Sequence, residues 1–313
     1  MTLNWPDSLN TAAEISAVLD AHAPSPDSVP PAWYCQWQNI WLPLAAWLAE
    51  RVQTSNRALI VGVHGGQGSG KSTLSIALRD LYQRAFGWNT VVVSLDDLYL
   101  SHSTRQTLSQ TVHPLLATRG VPGTHDAAAG IALFDQLRSL QAGETLCFPA
   151  FDKASDDRLP ETQWHQVKGP VDLIIFEGWC VGCEAVSEQE LQTPVNTLEA
   201  EEDADGHWRR YVNEQLQHTY HDWFAMIDEL IMLSVPDMEA VLRWRSQQES
   251  GNRANAAGGT DRSMDTAALV RFIQHYERLT RQALKYLPRQ ATLILEINQA
   301  HQVASIATGG QQS

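Results

Sequence analysis

The sequence predicts an α/β protein built on a doubly wound parallel sheet with flanking helices. Two observations support this prediction. Short apolar runs typical of buried strands alternate with longer segments of helical periodicity, and the first run ends in a glycine-rich turn that opens a helix. The 313 residues suffice for one large α/β domain, and a composition of 43% hydrophobic and 19% charged residues is ordinary for a globular protein.

The predicted elements follow one another in a regular order along the chain. Residues 1–55 are rich in Ala, Trp and Leu and are broken by prolines, so we predict an N-terminal helical extension with helices at about 10–20 and 35–53. Residues 56–313 are expected to form the main domain. Its strands are predicted at 58–64, 90–95, 172–177, 229–235 and 292–297. Its helices are predicted at 72–86, 207–225, 237–249 and 264–287.

Two further patterns favour structural rather than chemical roles. The acidic run at 199–205 is predicted to be a solvated loop. Cys180 and Cys183 form a C-x-x-C, but no second pair completes a zinc site, so we interpret them as small buried residues.

Charge and hydropathy limit the partners that the protein can have. A formal net charge of −14 argues against binding to duplex nucleic acid, which requires a basic face. The first ten residues lack the basic and apolar regions of a secretory signal. No apolar stretch approaches the ~20 residues that span a bilayer. We therefore expect a cytoplasmic protein that acts on a small molecule, away from membranes.

The strongest pattern is GGQGSGKS at 65–72, which satisfies the P-loop pattern G-x-x-x-x-G-K-[ST] in full. It lies between an apolar strand and an amphipathic helix, as phosphate binding requires, because the loop N–H groups and the helix N-terminus then face one anion. The pattern predicts a P-loop NTPase-type fold that binds ATP. The residues predicted to bind the nucleotide are Gly65, Gly66, Gln67, Gly68, Ser69, Gly70, Lys71, Ser72 and Thr73.

Within this loop, two side chains have distinct predicted roles. Lys71 is expected to be catalytic by reaching the β- and γ-phosphates, and the Ser72 hydroxyl is expected to be a ligand of Mg²⁺. Glu177 ends the third predicted strand and is the second predicted Mg²⁺ ligand, as an acidic residue at such a strand end commonly is.

Other charged residues favour phosphoryl transfer to a hydroxyl over simple nucleotide binding. Asp96 and Asp97 follow the second predicted strand, so they should face the P-loop, where a carboxylate can accept the proton of an attacking hydroxyl. Arg243 and Arg245 lie on a helix that runs into the glycine-rich segment 251–259, which we interpret as a lid. Arg245 is the predicted catalytic arginine. The chain contains no N-K-x-D guanine signature, which counts against a GTPase.

With these residues identified, the chain resembles the P-loop kinases that include uridine kinase, phosphoribulokinase and pantothenate kinase. Within that group it is most similar to the D-glycerate 3-kinase family, and the similarity extends from about 58 to 301. The motifs that carry it are GGQGSGKS (65–72), SLDDLY (94–99), RGVPGTHD (119–126), PAFDKASDDR (149–158), FEGWCVG (176–182) and WRSQQE (244–249). RGVPGTHD and WRSQQE are the motifs specific to this family.

The resemblance implies an acceptor site. Asp96 matches the aspartate that activates the acceptor hydroxyl, and it is the second predicted catalytic residue after Lys71. The residues implied to bind the acceptor are Asp97, Tyr99, Arg119, His125, Asp126, Asp152, Lys153 and Arg158. Glycerate is a small carboxylate, and Arg119, His125, Lys153 and Arg158 are expected to supply positive charge to it.

Three functions remain open at this point. The first is a kinase that phosphorylates D-glycerate to 3-phosphoglycerate. The second is a kinase of another small acceptor, such as a nucleoside, pantothenate or a sugar phosphate, since the segment 183–208 has no counterpart in the uridine kinase group. The third is a nucleotide-dependent switch protein, which would need a positioned water but no base for an acceptor hydroxyl.

Overall fold

The structure is a computed structural model, and it describes residues 5, 6, 9, 11–23, 31–255 and 266–310. Ten strands are found in these residues. They are β1 (Leu59–Gly65), β2 (Thr90–Ser94), β3 (Thr145–Phe148), β4 (Phe151–Asp152), β5 (Asp157–Arg158), β6 (His165–Lys168), β7 (Leu173–Gly178), β8 (Glu229–Ser234), β9 (Leu293–Ile297) and β10 (Val303–Thr308).

The described residues also contain twelve α-helices. They are α1 (Ala13–Asp20), α2 (Pro31–Gln36), α3 (Leu42–Thr54), α4 (Lys71–Phe86), α5 (His102–Thr111), α6 (Ala127–Ser139), α7 (Glu188–Leu191), α8 (Thr197–Glu202), α9 (His207–Gln217), α10 (Thr219–Phe224), α11 (Met238–Asn255) and α12 (Thr266–Tyr286). A π-helical turn, Trp37–Trp41, joins α2 to α3.

Six strands form one central sheet in the order β10-β9-β8-β1-β7-β2. The five strands from β9 to β2 are parallel, and they are the five strands predicted from the sequence. The P-loop NTPase-type fold is thereby confirmed. β10 was not predicted, and it pairs antiparallel with β9 at the sheet edge. Its residues are mostly exposed or half-buried, so it lacks the continuous apolar run of a buried strand.

Both faces of the central sheet are covered by helices, as a doubly wound fold requires. On one face, side chains such as Ile60 and Phe176 pack among residues of α6, α9 and α10. On the other face, Val61 and Val63 pack among residues of α3, α4 and α11. Because alternate residues of a strand point to opposite faces, continuous apolar runs in the strands supply both layers.

The N-terminal helices share a core with the second face of the sheet. Leu19 of α1 and Leu44 of α3 are fully buried in the same cluster as Val63. The hydroxyl of Tyr82 in α4 also donates a hydrogen bond to the Ala45 carbonyl at 2.8 Å. The division of the chain at residue 55 stays a prediction.

The acidic run at 199–205 is only in part the solvated loop that the sequence predicts, because Glu201, Glu202 and Asp205 are exposed but two other carboxylates are buried. Glu199 lies in α8 and is buried against Arg278 of α12, with Oε2 and Nη2 2.5 Å apart. Asp203 is buried against Arg209 of α9, with Oδ2 and Nη1 2.9 Å apart. For Glu199 the prediction was wrong because its partner, Arg278, lies 79 residues further along the chain, where the local charge pattern does not reveal it. Buried carboxylates require such partners.

Other predictions differ in detail. The single helix predicted at 207–225 is divided at His218 into α9 and α10. Part of the predicted lid, 251–255, belongs to α11, and 256–259 lie outside the described residues. Cys180 and Cys183 are buried free thiols, as expected. Among the helices in the described ranges, none combines the length and the apolar character that crossing a membrane requires.

Candidate active site

The P-loop connects the end of β1 to the start of α4. Gly68 and Gly70 have φ angles of +78° and +92°, which favour glycine. A Cβ at Gly68 would also approach the Cβ of Trp244 in α11 to 2.9 Å, so α11 packs directly on the loop. The N-terminus of α4 therefore follows a tight glycine-containing turn at the end of a strand, which is the arrangement that binds phosphate.

Lys71, Ser72 and Glu177 meet at this point. The Ser72 hydroxyl donates to Glu177 Oε1 at 2.8 Å, and Lys71 Nζ lies 3.9 Å from Glu177 Oε2. Glu177 is only 5% exposed, and its Oε2 has no hydrogen-bond partner among the described residues. A buried carboxylate oxygen with spare acceptor capacity beside a serine hydroxyl fits a site for a hard divalent cation. Mg²⁺ therefore fits the residues present.

Asp96 lies beside this group because parallel strands end at one edge of the sheet. Ser94, the last residue of β2, is in register with Glu177 of β7, and a short 3₁₀ helix, Leu95–Leu98, then presents Asp96. Asp96 Oδ2 is 2.5 Å from Lys153 Nζ. Burial by itself raises the pKa of Asp96, but the charge and hydrogen bond of Lys153 outweigh it and lower the pKa to about 2. Asp96 is therefore ionised at neutral pH.

These groups line one cavity with a volume of about 400 Å³. Predicted site residues that line it are Gln67, Gly68, Gly70, Lys71, Ser72, Thr73, Asp96, Tyr99, Arg119, Lys153, Glu177 and Arg245. The P-loop residues Gly65, Gly66 and Ser69 are buried and are not among its described lining residues. The cavity therefore combines the phosphate loop, two carboxylates and a set of cations.

The cations of the cavity come from three separate segments. Arg119 and Lys153 lie on the side of Asp96, where the Arg119 guanidinium contacts the Phe151 ring at 5.6 Å and pairs with Asp156. Arg245 comes from α11, and its guanidinium lies 5.9 Å from the centre of the Phe272 ring. Arg243, the other predicted lid arginine, is exposed near Glu239 and hydrogen-bonds to Gln299.

Other predicted acceptor residues bond to the protein itself and are not among the described lining residues of the cavity. Asp97 accepts from the Phe151 N–H at 3.2 Å and lies 3.2 Å from His165 Nε2. Asp126 caps α6 through the Ala129 N–H. It also pairs at 3.1 Å with Arg158.

Asp152 and His125 have similar internal contacts. Asp152 accepts from Ser155, through both its N–H at 3.0 Å and its hydroxyl at 2.6 Å. His125 stacks on Tyr99 with ring centres 4.4 Å apart, and its Nδ1 is 2.7 Å from the Tyr220 hydroxyl. Burial lowers the pKa of His125 to about 3. The ring is therefore neutral, which corrects the expectation that it adds positive charge to the site.

Sequence reasoning missed Arg105, which is fully buried behind the site. Its guanidinium donates to the carbonyls of Leu100 at 3.2 Å, Ala117 at 2.9 Å and Asp156 at 2.6 Å. It thereby ties together the three segments that carry Tyr99, Arg119 and Lys153. An arginine in a polar stretch of α5 resembles any surface residue, so no sequence signal distinguishes it.

The aromatic lining of the cavity was also missed. The lining residues not predicted are Trp179, Trp244, Gln247, Phe272, Tyr276 and His301. Tyr276 donates to the Arg119 carbonyl at 3.2 Å, and Trp179 donates to the Gly120 carbonyl at 3.1 Å. A Cβ at Gly120, where φ is +144°, would lie 2.4 Å from the Tyr276 hydroxyl. This close approach is a physical reason for the glycine in RGVPGTHD.

Comparison with known proteins places these observations in a family. The "uncharacterized kinase mug58" of Schizosaccharomyces pombe is 32% identical over 244 residues, which are 73% of this chain and 82% of that protein. The D-glycerate 3-kinase, chloroplastic, of Arabidopsis thaliana is 25% identical over 255 residues, 76% of this chain. The match spans 53% of the Arabidopsis protein, or about half its length. No protein-family model matches the chain.

A solved structure gives the same fold. D-glycerate 3-kinase from Cryptococcus neoformans has a TM-score of 0.66 to this chain at 23% identity. The comparison covers 95% of this chain and 99% of the other. The kinase of S. pombe is similar enough, over enough of both proteins, to settle the family. The chain belongs to the family of kinases that includes this S. pombe protein, and it is also similar to D-glycerate 3-kinases.

Proposed function

We propose that this kinase transfers the γ-phosphoryl group of ATP to the 3-hydroxyl of D-glycerate, giving ADP and 3-phosphoglycerate. The observation that carries the proposal is the single cavity shared by the P-loop, Asp96 and the cations Arg119 and Lys153. A phosphate site, a carboxylate and a set of cations in one cavity suit a small anionic alcohol as the acceptor. The name of the Arabidopsis relative agrees with this acceptor.

Different residues of the cavity would bind the phosphates, hold Mg²⁺ and stabilise the transferred group. The loop N–H groups and Lys71 would hold the phosphates and stabilise the charge that develops during transfer. Ser72 and Glu177 would hold Mg²⁺, which supplies positive charge to the phosphate oxygens when bound. Arg245 lines the same cavity and would add a second cation at the transferred group.

Asp96 would accept the proton of the acceptor. The hydroxyl oxygen forms a bond to the γ-phosphorus while the bond from that phosphorus to the bridging oxygen breaks, and the electron pair leaves with ADP. The proton passes to an oxygen of Asp96 and then to solvent. Arg119 would bind the carboxylate of glycerate, since its guanidinium is already oriented by Asp156 and Phe151.

The remaining predicted residues would hold the loops and rings that form the acceptor side in place, without contacting the acceptor themselves. Asp97, Asp126, Asp152 and Arg158 would fix the loops that carry Tyr99 and Lys153, and His125 would act as a neutral ring beneath Tyr99. We also propose that the enzyme acts in the cytoplasm and binds no nucleic acid, in line with its net charge of −14.

A coupled assay of ADP release tests the proposal. The purified chain is incubated with ATP and Mg²⁺ and with D-glycerate, glycerol, uridine, pantothenate or a sugar phosphate, and the products are identified by mass spectrometry and NMR. We expect D-glycerate to give the highest kcat/KM, with the phosphate on the 3-hydroxyl. A higher kcat/KM with any other acceptor would overturn the choice of glycerate. ATP turnover that ignores every acceptor but rises with a protein partner would favour the switch protein.

A further inference from the structure

The ion pair between Lys153 and Asp96 presents a problem for a base that must accept a proton. Lys153 Nζ lies 2.5 Å from Asp96 Oδ2, so the ammonium is already hydrogen-bonded to one of the two carboxylate oxygens that could accept the proton of the acceptor. A hydrogen-bonded cation also makes a carboxylate less basic. In this arrangement Asp96 is a poor base, although it lies at the right place for one.

The two partners of this ion pair differ in their freedom to move. The side chain of Asp96 is 28% exposed and follows a strand of the central sheet, whereas that of Lys153 is 62% exposed on the turn between β4 and β5. A long, exposed lysine side chain adopts many rotamers at low cost, because little packing holds it. If the pair separates, Lys153 is the partner that moves.

The backbone that carries Lys153 is nevertheless held firmly. Asp152 caps the turn through the N–H groups of Ala154 and Ser155, both at 3.0 Å. At the other end of the turn, the buried Arg105 bonds to both the carbonyl and the carboxylate of Asp156. The ammonium can therefore swing about a fixed point, within reach of Asp96 and of the neighbouring Arg119, which donates to the Lys153 carbonyl at 3.5 Å.

We propose that Lys153 acts as a gate on the base, opened by an anionic group of the acceptor. In the absence of an acceptor, the ammonium covers Asp96. A carboxylate bound beside Arg119 attracts the ammonium away from Asp96, and the freed carboxylate then accepts the proton of the adjacent hydroxyl. The proposal rests on the kinase function above and deepens it, because it assigns Lys153 a role in selecting small hydroxy acids.

The gate explains how one site would reject water and neutral alcohols. Neither carries an anionic group that competes for the ammonium, so Lys153 stays on Asp96 and proton acceptance is slow. Only an acceptor with a negative charge close to its hydroxyl both binds Arg119 and frees the base. Selectivity of this kind is a difference in transition-state stabilisation rather than in binding alone.

The substitution Lys153→Met tests the gate, with Lys168→Met as the matched control on the exposed strand β6. ADP release is measured in both variants and in the wild type with D-glycerate, with glycerol, and without acceptor. In Lys153→Met we expect kcat/KM for glycerate to fall by about 100-fold. We expect the rates with glycerol and with water to rise by about tenfold, because Asp96 is no longer covered. Lys168→Met should match the wild type in all three.

The rates with glycerol and with water decide whether Lys153 acts as a gate or only binds the carboxylate of the acceptor. If glycerate turnover falls while the glycerol and water rates stay the same or fall, Lys153 only binds the carboxylate and the gate is refuted. The acceptor-free rate also separates this proposal from the proposed function. A wild type that ignores glycerate would refute the acceptor, yet the rise of ATP hydrolysis in Lys153→Met would still support the gate.

Discussion

The two sides of the cavity are built in different ways. On the proposed nucleotide side, one continuous loop, residues 65–72, would bind the phosphates through its backbone N–H groups and the N-terminus of α4. The acceptor side is assembled from segments around Asp96, Arg119 and Lys153, which are far apart in sequence. The nucleotide side depends on local conformation, whereas the acceptor side depends on which charged side chains bond to each other and which face the cavity.

This difference decides how a charged residue in a motif should be interpreted. In the P-loop, Lys71 and Ser72 both line the cavity, as their motif predicts. On the acceptor side, Asp126 and Arg158 bond to each other and are not among the described lining residues, although their motifs suggested contact with the acceptor. Substitutions of residues that line the cavity should therefore change activity far more than substitutions of acceptor-side residues that bond within the protein.

The largest effect is expected for Lys71→Ala. The lysine lies at the N-terminus of α4 beside Glu177 and would stabilise charge that develops during transfer. We expect kcat to fall by about 10³–10⁵-fold, the range found when a cation at the transferred phosphoryl group is lost. Steady-state ADP release checks this, with Lys168→Ala as the exposed control. A loss below tenfold would contradict the assignment of the P-loop.

The next largest effect is expected for Asp96→Asn, which keeps the shape but removes the charge and the basic oxygen. Phosphorylation of the acceptor should fall by about 10²–10⁴-fold, as for loss of a positioned base. Binding of ATP should survive, because the loop and Lys71 are unchanged. Calorimetry with ATP checks the binding of the nucleotide, and the assay of ADP release checks the loss of phosphorylation. The exposed Asp135→Asn serves as the control. Equal loss of binding and turnover would show that Asp96 serves the nucleotide side.

A smaller effect is expected for Ser72→Ala. The hydroxyl donates to Glu177 at 2.8 Å, and without it a bound Mg²⁺ would keep only part of its protein contacts. The Mg²⁺ concentration for half-maximal rate should rise by about tenfold, with kcat largely recovered at saturation. Titration of ADP release against Mg²⁺ checks this. An unchanged titration curve would exclude Ser72 as a ligand.

The rate of ADP release by Lys153→Met should depend on pH in a modestly different way from that of the wild type. Lys153 and Lys71 lower the pKa of Asp96 to about 2, and His125 adds to this only below its own pKa of about 3, where its ring is charged. Tyr99 and Tyr276 face Asp96 as neutral phenols. Asp96 acts as a base only when ionised, so its activity is lost as pH falls through this pKa. Removing Lys153 raises the pKa, because burial then acts against less positive charge.

The wild-type profile should therefore show no loss from Asp96 between pH 5 and 7. In Lys153→Met, the rate with glycerol at pH 5 should fall severalfold below its value at pH 7. Rates of ADP release across this range check the prediction. Parallel profiles in the two proteins would mean that Lys153 does not control the protonation of Asp96.

The sequence allowed the strand–turn–helix context of the P-loop and the five parallel strands to be predicted, because both depend on local patterns. The apolar runs of β1 and β7 require burial on both faces, and the P-loop pattern requires the strand–turn–helix context that is observed. Arg105, Tyr276 and the burial of Glu199 could not be predicted in this way. Each depends on a partner from a distant segment, such as Arg278 for Glu199, and a charge pattern carries no information about distant partners.

The smallest effect on activity is expected on the acceptor side, for Asp126→Asn and Arg158→Met. Arg158 donates to the Tyr99 carbonyl at 2.7 Å and to Asp126 at 3.1 Å, so its loss should lower the free energy of unfolding by about 1.5–3 kcal/mol. In Asp126→Asn the amide can still cap α6, but it loses the charge that pairs with Arg158, so the free energy of unfolding should fall by about 1 kcal/mol.

A double-mutant cycle of the two changes, measured by unfolding in urea, should give a coupling energy of about 0.5–1.5 kcal/mol. The KM for glycerate should change less than about threefold in either variant. A KM raised far more in Arg158→Met, at unchanged stability, would instead make Arg158 part of the acceptor site, and the contrast between the two sides of the cavity would fail there.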